Sequence, residues 1–258
     1  MPTISDIFYF SHGVENISRP PVLFIHGAGG THLHWPAQAR RIPNQRIYAL
    51  DLPAHGKSGG LGSQSVKEYA RAVVEFLDAM KLNAAVMVGH SMGGGIALTL
   101  VLDFPKRVLG LGLIGTGARL RVAPQILEST SRAETFPAAV KLINDLEFSP
   151  SVSPRLKELA RQRMAEIRPA VLHGDFLACN VFDVMGRLNE ISAPTLILCG
   201  AEDQLTPPKY SEYLHAQIKD SRLAAIPDSG HMAMLEQPAS FTRTITEFLD
   251  TIPYRAGQ

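Results

Sequence analysis

The residue pattern best suited to chemistry is Gly89-His90-Ser91-Met92-Gly93, which spells G-x-S-x-G. An apolar run precedes it and a helical pattern follows it, so Ser91 is predicted to lie on a tight turn between a strand and a helix. A serine on such a turn has a strained backbone and needs small neighbours, which Gly89 and Gly93 provide. The turn would expose the hydroxyl as a nucleophile. The N–H of Met92, at the start of the helix, can then donate to an oxyanion.

A serine nucleophile needs a general base and an acid that orients the base, and two loops supply candidates. His231 follows the last predicted strand, in Ser229-Gly230-His231, and an imidazole suits the base role because it titrates near neutral pH. Asp203 follows another predicted strand, where its carboxylate can accept the Nδ1–H of the histidine. Glu202 is the alternative acid, and we interpret it as a solvated loop charge.

A second glycine-rich loop, His26-Gly27-Ala28-Gly29-Gly30, follows the first predicted buried strand. Glycine lets the backbone approach a nucleophile closely, so the N–H of Ala28 is the best candidate for a second oxyanion donor, supported by His26 and Gly27. The alternative is a plain strand-ending turn, because glycine is common after strands.

Other patterns fail the test of structural context. The G-x-G-x-x-G match at 110–115 lies inside a strand-like run with no helix directly after it, which argues against a dinucleotide loop. His32 and His34 lack the spacing of a metal site, and a surface or pocket-lining role is expected. His55 is predicted to hold a turn. We therefore predict no cofactor and no metal.

The elements that must position these residues alternate between buried strands and amphipathic helices. Such alternation predicts a parallel sheet with helices on both faces, the α/β class. The predicted strands span 21–26, 46–50, 84–88, 108–114, 194–199 and 222–226, and the predicted helices span 65–80, 92–104, 208–217 and 238–249.

Between these two α/β segments the pattern changes to short helical stretches separated by prolines. It predicts a helical cap over 118–187, with helices at 156–167 and 170–182, inserted into a core domain of 1–117 and 188–258. The cap has more apolar side chains than its own packing needs, so several are expected to roof the site and exclude water. The candidates are Leu120, Ile126, Leu127, Phe136, Leu142, Ile143, Leu146, Phe148, Met164 and Phe176.

Composition narrows the class of partner. The net charge of +1, from 25 basic and 24 acidic residues, argues against binding to nucleic acid. Cys179 and Cys199 do not form a C-x-x-C pair, so buried thiols in a reducing compartment are expected. The sequence shows no signal peptide and no run near the ~18 apolar residues of a membrane span. We expect a cytoplasmic protein with no membrane contact that acts on a small molecule; no pattern indicates its oligomeric state.

Five segments together resemble the esterase, lactonase and C–C hydrolase branch of the α/β-hydrolase superfamily. They are HGAGG (26–30), DLPAHGKS (51–58), GHSMGG (89–94), PTLILCGAED (194–203) and GHMAMLEQP (230–238). The chain order of serine, aspartate and histidine also matches that superfamily. The resemblance implies the α/β-hydrolase fold: a mostly parallel eight-stranded sheet flanked by helices. It further implies that segment 7–17 forms the antiparallel edge and that the site lies between sheet and cap.

With Ser91, His231 and Asp203 as its triad, the chain is expected to hydrolyse a carboxylic ester or lactone through an acyl-enzyme. Ser91 stands where dehalogenases and epoxide hydrolases of this superfamily carry aspartate. Met92 stands where proline iminopeptidases usually carry tryptophan, and His90 where ring-cleavage C–C hydrolases often carry asparagine. A C–C hydrolase or enol-lactonase of aromatic degradation is the alternative enzyme. A small-molecule receptor with little turnover is the alternative of another class, which the complete triad disfavours.

Overall fold

A computed structural model of the chain describes residues 3–13 and 19–253. At the centre of these residues lies one eight-stranded sheet. Its strands are β1 (Thr3–Ile4), β2 (Ile7–His12), β3 (Val22–Ile25), β4 (Ile47–Leu50), β5 (Ala85–His90), β6 (Val108–Ile114), β7 (Thr195–Gly200) and β8 (Ser221–Ile226). Their order across the sheet is β1-β2-β4-β3-β5-β6-β7-β8. The pairs β1–β2 and β2–β4 are antiparallel, and the other five pairs are parallel, which confirms the predicted fold class.

The edge of the sheet differs from the prediction for segment 7–17. β2 pairs antiparallel with β4 as expected, but β1 lies outside it and forms the edge. Ser5 and Asp6 have φ angles of 48° and 61°, and this two-residue turn folds β1 back onto β2. A Ser-Asp pair is a weak turn signal compared with Asn-Gly, so the hairpin is hard to predict. Residues 14–17 of the predicted segment lie outside the described residues.

The strands are apolar on both sides because helices cover both faces of the sheet. One face packs against α1 (Val66–Ala79), α2 (Met92–Asp103) and α7 (Pro208–Gln217). The other face packs against α8 (Ala233–Glu236) and α9 (Pro238–Leu249). The strands and helices predicted for this part of the chain agree with the structure to within two residues at each end.

Four helices connect β6 to β7: α3 (Pro124–Thr130), α4 (Phe136–Glu147), α5 (Pro154–Ala165) and α6 (Pro169–Val181). Each has a proline in its first turn, where the missing N–H costs nothing. The predicted helices at 156–167 and 170–182 correspond to α5 and α6. The four helices share an apolar cluster that also contacts Ala28 and Leu205 of the sheet domain, so the cap interior is continuous with the sheet's loops.

The chain enters and leaves this helical segment through a narrow neck. Arg119 and Asp183 form an isolated antiparallel bridge and an ion pair, with Nη2 and Oδ2 2.6 Å apart. The N–H of Val184 donates to the carbonyl of Ala118 at 2.8 Å, one step further down the neck. The two ends of the insertion are therefore held side by side.

Two further expectations concerned buried thiols and membrane-spanning helices. Cys179 and Cys199 are free and buried, as predicted. Among the described residues, no helix has both the length and the apolar character needed to cross a membrane.

Candidate active site

Ser91 occupies the turn between β5 and α2, with φ 53° and ψ −117°. A non-glycine residue in this region stores roughly 1–3 kcal/mol of strain, which the surrounding structure must offset. Two contacts hold it: the Ser91 N–H donates to the carbonyl of Ile114 at 2.9 Å, and the Thr116 hydroxyl donates to the Ser91 carbonyl at 2.8 Å. The strained turn expected from G-x-S-x-G is present.

The two glycines of this motif lie where no side chain fits. A Cβ on Gly93 would lie 2.2 Å from the carbonyl oxygen of Ile25, and a Cβ on Gly89 would lie 2.0 Å from the carbonyl oxygen of Gly93. Both distances are well inside van der Waals contact. The close approach of α2 to β3 therefore depends on glycine at position 93, and the tight turn from β5 into α2 depends on glycine at position 89.

The glycine loop after β3 lies against the same turn. A Cβ on Gly27 would lie 3.0 Å from the Cβ of Ser91 and 2.9 Å from Nδ1 of His90. His26 fixes this loop: its Nδ1–H donates to the Gly27 carbonyl at 2.8 Å, and its Nε2 accepts from the Leu52 N–H at 3.0 Å. Burial lowers the pKa of His26 well below its usual value, so the ring is neutral, as this pairing requires.

Ala28 and Met92 are the predicted oxyanion donors, and each belongs to a backbone turn that faces Ser91. Met92 is the first residue of α2, where an N–H has no acceptor within the helix. In the loop of Ala28, the next two N–H groups are engaged elsewhere, and that of Gly30 donates to Gly27 at 3.0 Å. Ala28 and Ser91 line the same cavity.

His231 and Asp203 meet in a buried hydrogen bond in which Nδ1–H donates to Oδ2 at 2.8 Å. Asp203 lies in the loop after β7, and His231 lies between β8 and α8. The other carboxylate oxygen of Asp203 accepts from the N–H groups of Leu205 and Thr206, each at 2.9 Å. Glu202, the alternative acid, is exposed. The geometry therefore pairs the histidine with Asp203.

The surroundings of Asp203 and His231 shift the pKa values of both side chains. Burial alone would raise the pKa of Asp203, but His231 and the hydrogen-bond donors hold that pKa below its usual value. Burial alone would lower the pKa of His231, but the carboxylates of Asp203 and Glu147 raise it above its usual value. Asp203 is thus ionised, and an ionised carboxylate at this position is able to stabilise an imidazolium at His231.

His90 contacts the loop that carries His231. Its Nε2–H donates to the carbonyl of His231 at 3.0 Å, and the two ring centroids are 4.6 Å apart. Burial lowers the pKa of His90 well below its usual value, so it stays neutral beside the imidazolium that His231 would form. This contact fixes the backbone of His231 and gives His90 a supporting role.

Of three other histidines considered from the sequence, His32 departs from expectation and His34 and His55 agree with it. His32 is buried, with its N–H and Nδ1 at 2.6 and 2.8 Å from Oδ1 of Asp51, so a surface position for it was wrong. These two contacts with the buried side chain of Asp51 hold His32 in the interior. His34 lines a second cavity of about 390 Å³, as one of the expected roles required. His55 does hold its turn, through the carbonyl of Pro53 at 3.0 Å, but it also contacts the cap.

A cavity of about 180 Å³ lies between the loops of the sheet and helices α3, α4 and α6, and Ser91 and His231 both line it. Four of the predicted roof residues also line this cavity: Leu120, Ile126, Leu146 and Phe176. Phe136 instead packs inside the cap cluster, and Phe148 packs with the second face of the sheet. The expectation was that several of the ten candidates line the site, and a helical stripe predicts which residues are buried but not what each of them faces.

Four polar residues near the site escape prediction from sequence: Thr116, Glu147, Asp175 and Thr206. The hydroxyl of Thr206 donates to Oδ2 of Asp203 at 2.8 Å, and its signal is a spacing of three residues in one loop. Asp175 is fully buried on an otherwise apolar stretch of α6, and a lone acid in such a stretch is the signal that could find it.

Comparisons with known proteins extend these observations. Residues 20–238 match the family model described as alpha/beta hydrolase fold. The chain is 34% identical to a solved structure described as a thermophilic esterase, with a TM-score of 0.83, covering 96% of this chain and 100% of that one.

Two further relatives have names that differ from that of an esterase. The chain is 29% identical over 238 residues to the dihydrolipoyllysine-residue acetyltransferase component of the acetoin cleaving system of Cupriavidus necator, covering 88% of this chain and 63% of that protein. It thus spans less than two thirds of that relative. It is 29% identical over 250 residues to the 2-hydroxy-6-oxo-6-phenylhexa-2,4-dienoate hydrolase of Burkholderia cepacia, covering 88% of this chain and 87% of that protein.

Proposed function

The chain belongs to the α/β-hydrolase family, and on that premise we propose that it is a serine hydrolase of carboxylic esters or lactones. The observation that carries the proposal is the buried hydrogen bond between His231 and Asp203, 2.8 Å long, beside a cavity that Ser91 also lines. The similarity to a thermophilic esterase supports an ester as the substrate.

Acylation begins with attack by Oγ of Ser91 on the substrate carbonyl. Nδ1–H of His231 is committed to Asp203, so Nε2 is the nitrogen that accepts the serine proton. The carbonyl oxygen becomes an oxyanion, which the N–H groups of Ala28 and Met92 stabilise. The imidazolium then gives its proton to the leaving alcohol as the C–O bond breaks, and an acyl-enzyme remains.

Deacylation repeats the sequence with water as the nucleophile. His231 takes a proton from the water, the hydroxide attacks the acyl carbonyl, and the same two N–H groups stabilise the second oxyanion. Collapse returns the proton to Ser91 and releases the carboxylic acid. The net reaction is ester plus water to acid plus alcohol.

The cavity argues for a small, apolar acyl group. Its volume of about 180 Å³ is modest for a ligand site, and its lining is mainly aliphatic and aromatic. We propose that residues 118–187 act as the cap that selects the substrate, because α3, α4 and α6 supply cavity-lining side chains Ile126, Leu146 and Phe176.

The test is hydrolysis of p-nitrophenyl acetate and butyrate by the purified protein and by Ser91→Ala. We expect turnover by the wild type and a loss of at least ~10³-fold in the variant, since the nucleophile is removed. A fluorophosphonate probe should label the wild type only, at Ser91, by mass spectrometry of the tryptic peptide. Equal turnover by the two proteins would contradict the proposal.

The alternative reaction is C–C bond or enol-lactone hydrolysis, which the similarity to the Burkholderia cepacia hydrolase favours. The same triad would serve: in C–C hydrolysis a carbon leaving group is protonated in place of an alcohol oxygen, and in enol-lactone hydrolysis the leaving group is an enol oxygen. A panel of simple esters, enol-lactones and vinylogous 1,5-diketones separates these reactions by kcat/KM. Tight binding of a ligand with no multiple turnover on any member of the panel would instead favour a receptor.

A further inference from the structure

A single buried carboxylate links the cap to the glycine loop beside Ser91. Asp175, on α6, has no exposed surface. Its Oδ2 accepts from the backbone N–H of Gly29 at 2.7 Å and lies 2.8 Å from Nε2 of His55. Its Oδ1 accepts from the hydroxyl of Tyr69 at 2.7 Å. The carboxylate thus joins three segments of the sheet domain that are far apart in sequence.

His55 is the counter-charge of this carboxylate. Its Nε2 faces Asp175, and its Nδ1 lies 3.0 Å from the carbonyl oxygen of Pro53. Because both neighbours are acceptors, both ring nitrogens must donate, which requires the imidazolium form. Burial alone would lower the pKa of His55, but the adjacent Asp175 carboxylate raises it above its usual value. The pair is a fully hydrogen-bonded buried ion pair.

Gly29 is the point at which this ion pair reaches the catalytic loop. It follows Ala28, the proposed oxyanion donor, and its φ of 61° suits glycine. The peptide between Ala28 and Gly29 is planar, so a bond to the Gly29 N–H fixes the orientation of that plane and with it the ψ angle of Ala28. A Cβ on Gly29 would lie 2.7 Å from Cδ1 of Leu172, one turn before Asp175 on α6. The cap helix thus packs directly on this loop.

We propose that Asp175 is a positioning residue for the oxyanion hole, through which the docked cap holds the loop that carries the Ala28 N–H. The inference rests on the proposed function, since an oxyanion hole matters only if an acyl transfer occurs. It assigns to the cap a part in the chemical step as well as in substrate selection. A donor displaced by ~1 Å can cost about 10²-fold in rate, so this link is large enough to measure.

The experiment compares Asp175→Ala, which removes all three acceptor contacts, with Asp175→Asn, which keeps the side chain's shape and one acceptor oxygen. Tyr69→Phe removes the contact to Oδ1 and the hydrogen bond that the Tyr69 oxygen accepts from the Ser63 N–H, but it leaves the Gly29 bond. Thr195→Val is the control for a general loss of stability. It removes a buried hydroxyl that donates to the carbonyl of Ala193, at the end of β7 away from the Asp203 loop. Each rate of p-nitrophenyl butyrate hydrolysis is divided by the concentration of Ser91 labelled to completion with a fluorophosphonate.

We expect kcat of Asp175→Ala to fall about 10- to 100-fold with KM nearly unchanged, because the donor acts mainly on the oxyanion. Asp175→Asn should retain a larger part of the activity. Tyr69→Phe and Thr195→Val should keep kcat within about threefold, whatever their melting temperatures. If Asp175→Ala does not fold, a lower normalised kcat in Asp175→Asn than in Tyr69→Phe supports the inference.

Wild-type kcat in both Asp175 variants, after normalisation, would overturn the inference and leave Asp175 as an anchor of the cap alone. That result is separate from failure of the proposed function, in which the wild type itself does not turn over esters. An amide ¹H–¹⁵N spectrum gives a reading independent of substrate. The Gly29 amide should shift upfield in Asp175→Asn as its charge-assisted hydrogen bond weakens, and an unmoved Gly29 signal would also count against the inference.

Discussion

Thr206 donates two hydrogen bonds to Asp203, from its N–H to Oδ1 at 2.9 Å and from its hydroxyl to Oδ2 at 2.8 Å. The same Oδ2 accepts Nδ1–H of His231. A carboxylate that accepts several donors is held both in place and in its ionised form. Within residues 3–13 and 19–253, no comparable set of donors holds the side chain of Glu202, which is exposed although it lies one residue away.

This difference yields a prediction for the acid of the proposed triad. Asp203→Asn should lower kcat by about 10³- to 10⁴-fold, because an amide cannot stabilise the imidazolium or hold its tautomer. Glu202→Gln should leave kcat within about twofold, because that charge is solvated. Steady-state kinetics on p-nitrophenyl butyrate checks both. A severe loss in Glu202→Gln, with activity retained in Asp203→Asn, would reverse the assignment.

Gly27 should tolerate no side chain without loss of activity. The Cβ of Gly27→Ala would press on Cβ of Ser91 at 3.0 Å, so the serine turn or the glycine loop must shift. We expect kcat to fall by about 10²-fold or more, since both the proposed nucleophile and a proposed oxyanion donor lie there. The matched control is Gly186→Ala, whose Cβ would meet nothing within 4 Å. Circular dichroism should show both variants folded, and equal activity in the two would contradict the prediction.

Two phenylalanines of the cap should separate selectivity from stability. Phe176 lines the cavity with Ser91, so Phe176→Ala enlarges the cavity and should move the preference from acetate or butyrate towards longer p-nitrophenyl esters. Phe136 packs inside the cap cluster, and Phe136→Ala should cost about 3–5 kcal/mol of stability without changing that preference. Chain-length profiles and thermal melts measure the two effects. An unchanged profile in Phe176→Ala would mean that another part of the cavity holds the acyl chain.

The pH dependence should respond to Glu147. This buried carboxyl, with its pKa raised to about 7 by burial, faces His231 from α4, as Asp203 and Glu236 do from other segments. Negative charge on these groups raises the pKa of His231, and the base must be neutral to act, so kcat/KM rises with pH through a pKa above the usual histidine value. Glu147→Gln removes one such charge and should move this acid limb to lower pH. A limb that stays in place, or moves up, would exclude electrostatic coupling between the two.

The site residues that can be predicted from the sequence are those marked by a local sequence pattern. Ser91, Asp203 and His231 each follow the end of a strand, and an apolar run followed by glycine or a charge marks that point directly. Asp175 contacts Gly29 across 146 positions, and it comes from a helix whose docking depends on the whole cap. Helical periodicity reports that a residue such as Phe148 is buried, but the partner it meets is decided by tertiary packing.

The neck formed by Arg119 and Asp183 bears on how such a protein can change over evolution. Because the two ends of the insertion are already held side by side, the chain between them closes a loop whose entropic cost grows only with the logarithm of its length. Doubling the insertion would cost about 0.6 kcal/mol, so segments of different length can be exchanged above the neck while the sheet keeps its register. On the inference drawn above, an exchanged segment must still place an acceptor within hydrogen-bond distance of the Gly29 N–H. The rest of the segment is free to vary, so the constraint falls on one position of one helix.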